Sequence, residues 1–268
     1  MDHNRRVLGI ITHYRCEEFL STAIESLINQ TRPLEGIVVI DDASPVSPID
    51  IVSKFPGVTL LTSPQNVGPF QLIRNVIYNT NYDAYLQQDA DDWSTPNRLA
   101  LSLELAEKTG ADIVGTQLID FCELEEYILH DLIEHPENAT LAYRKEVGGW
   151  YMSWGTTLCS RELFLRLEGL ATGLRLEGDS DFLRRACFIA KMFNVPEACY
   201  YRRLRPQSMT LDEMTGHQSP QRLNERDQSM KQIAINAELF KQGKPFDLRP
   251  ISLAPPIALS HAAGPSLR

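Results

Sequence analysis

Ala84-Tyr85-Leu86-Gln87-Gln88-Asp89-Ala90-Asp91-Asp92 decides how this chain is to be read. An apolar, strand-like segment stops at three carboxylates within four residues. Like charges that close resist ionising together unless a cation or many hydrogen-bond donors sit among them. With no His or Cys beside them, they are hard oxygen donors suited to Mg²⁺ or Mn²⁺. Such ions are usually held by one or two carboxylates plus substrate phosphates. The plainer reading is a solvated turn capping the helix that starts near Pro96, since Asp and Ser are good N-caps and Pro suits a first helical turn.

The surrounding segments favour the first reading. Val7–Ile11 is a short apolar run that predicts a buried strand. Phe19, Leu20, Ala23, Ile24, Leu27 and Ile28 recur at spacings of three and four, which predicts a helix from about Glu17 to Gln30. Gly36–Ile40 predicts a second buried strand, stopping at Asp41-Asp42. A weak helix at Pro48–Phe55, a strand at Val58–Leu61 and a helix around Phe70–Asn79 precede the acidic segment. A helix at Pro96–Thr109 and a strand at Asp112–Gln117 follow it. Strands alternating with helices predict an α/β fold with a mainly parallel sheet flanked by helices. In such sheets ligands bind beyond the carboxyl ends of the strands. Thr12-His13-Tyr14, Asp41-Asp42 and Asp89–Asp92 all stand at such ends, so they are expected along one edge.

The second half is less regular. Phe121–Gly149 is acidic (Glu123, Glu125, Glu126, Asp131, Glu134, Glu137) and reads as a peripheral excursion. The glycine-flanked aromatic stretch Gly148–Gly155 holds Trp150, Tyr151 and Trp154. These rings are either core or a surface loop that stacks on a sugar. A helix at Arg161–Glu168 is followed by Glu177-Gly178-Asp179-Ser180-Asp181, which leads into a helix expected at Phe182–Met192. Glu197–Tyr201 reads as a strand, and Pro220–Gln242 as a helix. Pro250–Arg268 is an extended tail, free or laid across the body.

The 43% hydrophobic and 23% charged residues describe a soluble globular chain, and a net charge of −9 argues against nucleic acid as a partner. Five cysteines without CxxC spacing imply neither a zinc site nor a disulfide framework, which points to a cytoplasmic setting. No stretch approaches a membrane span, so a lipid-linked substrate would be met from the aqueous side by peripheral contact. A homo-oligomer is compatible with all of this.

"IITHYRCEEFLSTAIESLINQT", "IVVIDDAS", "NVGPFQLIRN", "DADDWSTPNRL" and "EGDSDFLRRA" occur in this order. Together they resemble glycosyltransferase family 2, the inverting sugar-nucleotide transferases of the GT-A (Rossmann-like) fold, over roughly residues 6 to 210. The resemblance implies a GT-A domain at 1–215. Its nucleotide-binding part would be about 1–120 and its acceptor part about 121–215, with a C-terminal helix and extended tail at 216–268. It also implies roles. Thr12 and Tyr14 would line the base, Asp42 would accept from a uracil-like imide, and Arg74 would reach the nucleotide unless it is an ordinary helix-surface arginine. Asp91 would hold the ribose, Asp92 with Asp91 would ligate Mn²⁺ or Mg²⁺, and Asp89 would orient the others or the donor sugar.

Asp179 is the expected general base, placed ahead of Asp181 because the helix is expected to begin at or just after Ser180. Capping of that helix is the competing role for all three polar residues there. Trp150 and Trp154 are the expected acceptor contacts if that stretch is a surface loop. The chain departs from the family's pattern at Arg15, where relatives carry Asn, and at Arg205, where relatives carry a metal-binding His. A guanidinium cannot ligate a cation but suits phosphate, so Arg205 is expected on the diphosphate unless Arg202, Arg203 and Arg205 form a solvated basic stretch. The expected reaction is transfer from a nucleoside diphosphate sugar, UDP-linked, to a glycan or other hydroxyl-bearing acceptor. The rivals are a sugar-nucleotide nucleotidyltransferase and a noncatalytic nucleotide-sugar or glycan-binding protein. The first would need a glycine-rich loop where "THYRCEEF" stands.

Overall fold

The computed structural model describes residues 5–123 and 128–267. Strand β1 (Val7–His13) leads into α1 (Glu17–Ile28), then β2 (Gly36–Asp41), the short α2 (Ile49–Val52), β3 (Val58–Thr62), α3 (Pro69–Asn79) and β4 (Ala84–Asp89). Next come the two-residue β5 (Trp93–Ser94), α4 (Arg98–Thr109), β6 (Ile113–Glu123), β7 (Ile128–Ile133) and α5 (Ala139–Lys145). A 3-10 turn at Trp154–Thr156 introduces β8 (Leu158–Ser160) and α6 (Arg161–Arg166). The chain ends with α7 (Gly178–Ala186), β9 (Met192–Arg203), α8 (Pro220–Lys241) and β10 (Ser260–Ala263).

The described strands form one mixed sheet in the order β10-β3-β2-β1-β4-β8-β6-β9-β5, with β7 paired to β6. The four strands β3-β2-β1-β4 are parallel to one another. Their side chains alternate between two cores, as a period of two requires. Val7 and Ile11 pack with Leu20, Ile24 and Leu27 of α1, whereas Leu8 and Ile10 pack with Leu72, Ile73 and Val76 of α3. Burial on both faces is why these strands read as unbroken apolar runs. Register then sets the edge where polar residues gather: His13 of β1 lies beside Asp41, and Thr12 beside Asp89.

Several boundaries differ from expectation. The helix expected at Phe182 begins at Gly178 and ends at Ala186. The Glu225 carboxylate accepts the backbone N–H groups of Arg175, Leu176 and Glu177, which fixes the chain just ahead and lets the helix start earlier. Strands β6 and β9 are longer than predicted because they pair in parallel from Ile113 to Phe121, across a register shift near Gln117. The expected peripheral excursion supplies β7 and α5; its Glu125 and Glu126 lie outside the described residues.

The last segment is laid across the body. β10 pairs antiparallel with β3, Asn75 Nδ2 donates to Ile257 O at 2.6 Å, and Thr59 Oγ1 donates to Pro265 O at 2.6 Å. Ile233 of α8 is fully buried in the same core as α3 and α7. Residues 216–267 therefore share both the sheet and the core of the preceding chain. Among the described residues, no helix is long and apolar enough to cross a membrane.

Candidate active site

Beyond the carboxyl ends of β1, β2 and β4 lies a cavity of about 770 Å³. Thr12, Tyr14, Asp42, Asp89, Asp91, Asp92, Trp150, Trp154, Asp179 and Arg205 all line it. Residues from widely separated parts of the sequence are thus brought to one place, and of the expected site residues Arg74 is missing from the wall. The Arg74 guanidinium lies 4.2 Å over the Tyr78 ring, and its Nε donates to Glu168 O at 3.3 Å. This is the helix-surface position that is the alternative for it, outside the cavity wall. Arg175 occupies the cavity wall instead, donating to the Asn66 side chain beside Gly68. Gly68 has a φ of +89°, a conformation that favours glycine, and a Cβ there would press on the Arg175 guanidinium.

The acidic strand end is built with three different environments. Asp89 is exposed where β4 ends and opens onto the cavity. Desolvation within the cavity, then the Asp91 and Asp179 charges, raise its pKa to about 7. Its backbone N–H donates to Tyr200 Oη at 3.1 Å. Asp91 accepts from Arg205 Nε at 2.7 Å. Asp92 is buried and accepts the Arg203 backbone N–H at 2.8 Å; burial, then Asp91 and Asp89, lift its pKa well above the usual range. Asp92 is thus partly committed to the wall, and Asp91 is the more open of the two expected metal ligands. Among the described residues, no three His, Cys, Asp or Glu side chains converge as a ready-made metal cage.

Behind the acids sits a cation the sequence reading missed. Arg98 is fully buried and donates to Gln88 Oε1, Ser94 Oγ, Gln87 O and Gly155 O at 2.8–3.2 Å. Burial lowers its pKa to about 10, with Tyr200, Cys199, Asp89 and Asp92 opposing the fall. It ties β4 to the 3-10 turn and faces the acids with positive charge. Nothing local in "TPNRLA" separates it from a surface arginine, because its partners are spread over Gln87, Gln88, Ser94 and Gly155 and meet only in the fold.

Asp179 stands in the first turn of α7 and faces the cavity. Burial and Glu177 raise its pKa to about 6, against the Ser180 N–H, Arg222 and Arg184. Asp181 points elsewhere: it is fully buried, accepts from Arg185 Nε at 2.6 Å and from Ser229 Oγ at 3.1 Å. The two acids of one motif are therefore divided between cleft and core.

At the other end of the cavity, Tyr14 is exposed. Asp42 is buried, with its carboxylate accepting Val67 N–H at 2.7 Å and Gly68 N–H at 2.8 Å, so it anchors the loop before α3. Burial raises its pKa despite those bonds. Unassigned from sequence, His13 is buried with Nδ1 3.0 Å from Asp41 Oδ1, which fixes the end of β1 to the end of β2. Arg15 adopts a φ of +54° and stacks its guanidinium on Tyr14 at 5.2 Å.

The aromatic stretch splits. Trp150 is 50% exposed, edge-on to His135 at 4.8 Å and under the Arg202 guanidinium at 5.4 Å. Trp154 is 8% exposed and packs edge-on against Phe182 at 5.4 Å. Of the two readings left open, Trp154 takes the core one, because the 3-10 turn folds its ring against α7, while it still borders the cavity.

The profile described as Glycosyl transferase family 2 matches residues 9–167. EpsE of Bacillus subtilis (strain 168), whose own description as a glycosyltransferase is provisional, is 24% identical over 178 residues. That alignment covers 64% of this chain, which spans 60% of that relative's length. Among solved structures, S. aureus TarS residues 1–349 in complex with UDP-GlcNAc superposes with a TM-score of 0.64 at 15% identity, covering 87% of this chain and 72% of that one. GalNAc-T7 with UDP, GalNAc and Mn²⁺ gives 0.65 at 16% identity, covering 85% and 48%. At such identities the likeness is one of fold, and that fold is GT-A. The family match extends over more than half of the sequence and takes in β2, β4 and most of β1, whose carboxyl ends open onto the cavity, so the chain belongs to glycosyltransferase family 2.

Proposed function

We propose that the protein transfers a sugar from a nucleoside diphosphate sugar, UDP-linked, to an acceptor hydroxyl with inversion at the anomeric carbon. The observation that carries this reading is the meeting of Asp179 with the acidic strand end in one cavity, close enough for the Asp179 charge to be felt at Asp89. Thr12 and Tyr14 would border the base, with Asp42 holding the loop that closes that end. Asp179 would take the acceptor hydroxyl's proton as oxygen bonds to the anomeric carbon and the bond to the diphosphate oxygen breaks. A single displacement of that kind inverts configuration.

A divalent cation fits the residues present. Three crowded carboxylates, of which Asp89 and Asp92 have raised pKa values, are a hard-oxygen donor set whose mutual repulsion a cation relieves. Asp91 and Asp92 would hold Mn²⁺ or Mg²⁺, Asp91 from the more open position and with Arg205 beside it. When bound, the ion neutralises charge on the departing diphosphate. The direct test is incubation with a panel of nucleotide sugars and Mn²⁺ or Mg²⁺, following release of free nucleotide and its loss on chelation. Product NMR reports the anomeric configuration. No nucleotide release from any donor would overturn the reading.

A further inference from the structure

Arg184, Arg222 and Arg226 converge on one carboxylate in the cavity wall. Glu177 is buried, with Oε1 3.1 Å from Arg226 Nη2 and 3.6 Å from Arg222 Nη1, and Oε2 3.5 Å from Arg184 Nη1. Glu225 alongside is already engaged by three backbone N–H groups and by Gln221. Arg222 is fixed by donating to Thr215 O and Met209 O, both at 2.9 Å. Arg184 is 6% exposed and lines the cavity, yet its Nε and Nη1 find no hydrogen-bond partner among the described residues; the Arg226 Nε is also without one. Buried donors on a charged group are costly when they make no hydrogen bond, even beside a counter-charge. Three guanidiniums share Glu177, with Asp179 and Glu225 as the carboxylates nearby, so it is the donors of Arg184 and Arg226 without a hydrogen bond that an anion would satisfy. The same field reaches His217 at the rim, whose pKa is pushed down by burial and by Arg222, Arg202 and Arg226.

Resting on the transferase reading above, the geometry points to an anion subsite, formed by Arg184, Arg222 and Arg226, that takes a phosphate or carboxylate group of the acceptor. The acceptor side follows from electrostatic neighbours. Arg222 and Arg184 act on Asp179, the group that would meet the attacking hydroxyl. The acids at the strand end face other arginines: Asp91 pairs with Arg205, and Asp89 feels Arg202. Donor diphosphate and acceptor anion would thus be held by separate guanidiniums, one set on each side of the reacting centre. Guanidinium forks match phosphate and carboxylate oxygens well.

Inorganic phosphate is the probe, titrated by calorimetry into the full chain alone and again with saturating UDP and Mn²⁺. Phosphate should still bind when UDP is present, and Arg184→Gln and Arg226→Gln should each weaken it at least tenfold while UDP affinity changes less than threefold. Arg226 is over a third exposed, so its variant keeps the test alive should Arg184→Gln fail to fold. Equal phosphate binding by the variants, no phosphate binding by the parent, or loss of phosphate binding on adding UDP would each overturn the subsite. A third arm compares UDP-glucuronate with UDP-glucose. A charge preference that disappears in the variants would place the anion on the donor sugar and overturn the acceptor assignment. Failure of UDP itself to bind would count against the transferase reading, and the phosphate titration without UDP would still decide the subsite.

Discussion

Arg205 Nε donates to Asp91 Oδ2 at 2.7 Å, joining residues 114 positions apart at the cavity's acidic edge. The Arg205 Nη2 also donates to Cys16 Sγ at 2.9 Å, and burial raises the Cys16 pKa to about 12, so that thiol stays neutral. The arginine is therefore held by one carboxylate and a neutral sulfur, in the wall where a diphosphate is expected. It is not part of a solvated basic stretch.

Replacing Arg205 by Ala should weaken UDP binding in the presence of Mn²⁺ by about 1.5–3 kcal/mol, the range for hydrogen bonds to charged groups. Mn²⁺ affinity without nucleotide should not fall, because removing the guanidinium leaves Asp91 more negative. Calorimetry for UDP and paramagnetic resonance for free Mn²⁺ separate the two. A parallel loss of both affinities would mean that the substitution merely disorders the site.

Asp179 and Asp181 should behave in opposite ways. Asp179→Asn should keep donor binding and lower turnover by about two orders of magnitude or more, the usual scale for a positioned base. Asp181→Asn removes the carboxylate from a fully buried pair with Arg185 and should destabilise the fold by about 3–5 kcal/mol. Denaturant melts and kinetics on both variants check the contrast.

The pH profile follows from the raised pKa of Asp179. A base works when ionised, so turnover should be low below pH 6, rise through about 6 and level off above it. Burial and Glu177 favour the protonated form, which is why the rise should come higher than the ordinary aspartate range. In Asp179→Asn the residual rate should lose this rise.

Trp154→Ala should cost about 3–5 kcal/mol of stability, the scale for a large ring removed from a core. Trp150→Ala should leave stability within about 0.5 kcal/mol, since the ring is half exposed. Its effect should fall on the acceptor KM more than on the donor KM. Thermal melts combined with initial rates distinguish the two.

Deleting residues 250–268 uncovers the β3 edge and removes the strap across α3. An exposed strand edge is a template for pairing with other chains. The truncated protein should melt earlier and aggregate, as read by light scattering. Gly264→Val should reproduce part of the effect, because Gly264 has a φ of +79° and a Cβ there would collide with Val58 O.

Local rules were enough for the elements up to β6 that build the parallel strands, and for the edge those strands share, but not for β7, α5, β8 or β10. Apolar runs buried on both faces, one helical stripe in α1 and abrupt stops at acids gave the parallel sheet and put three polar clusters beyond its strand ends. Side-chain destinations were not local. Asp179 and Asp181 lie in one short motif, and two residues on a helix are separated by about 200° around its axis, so one must turn away from the cleft. Which one depended on where the helix began, and that was set by Glu225, nearly fifty residues later. Arg74, Arg98 and Arg205 look alike in sequence. Only the tertiary structure sends one to a tyrosine face, one to a buried set of carbonyls and one to Asp91, because a long flexible cation takes the partners that the packed chain brings within reach.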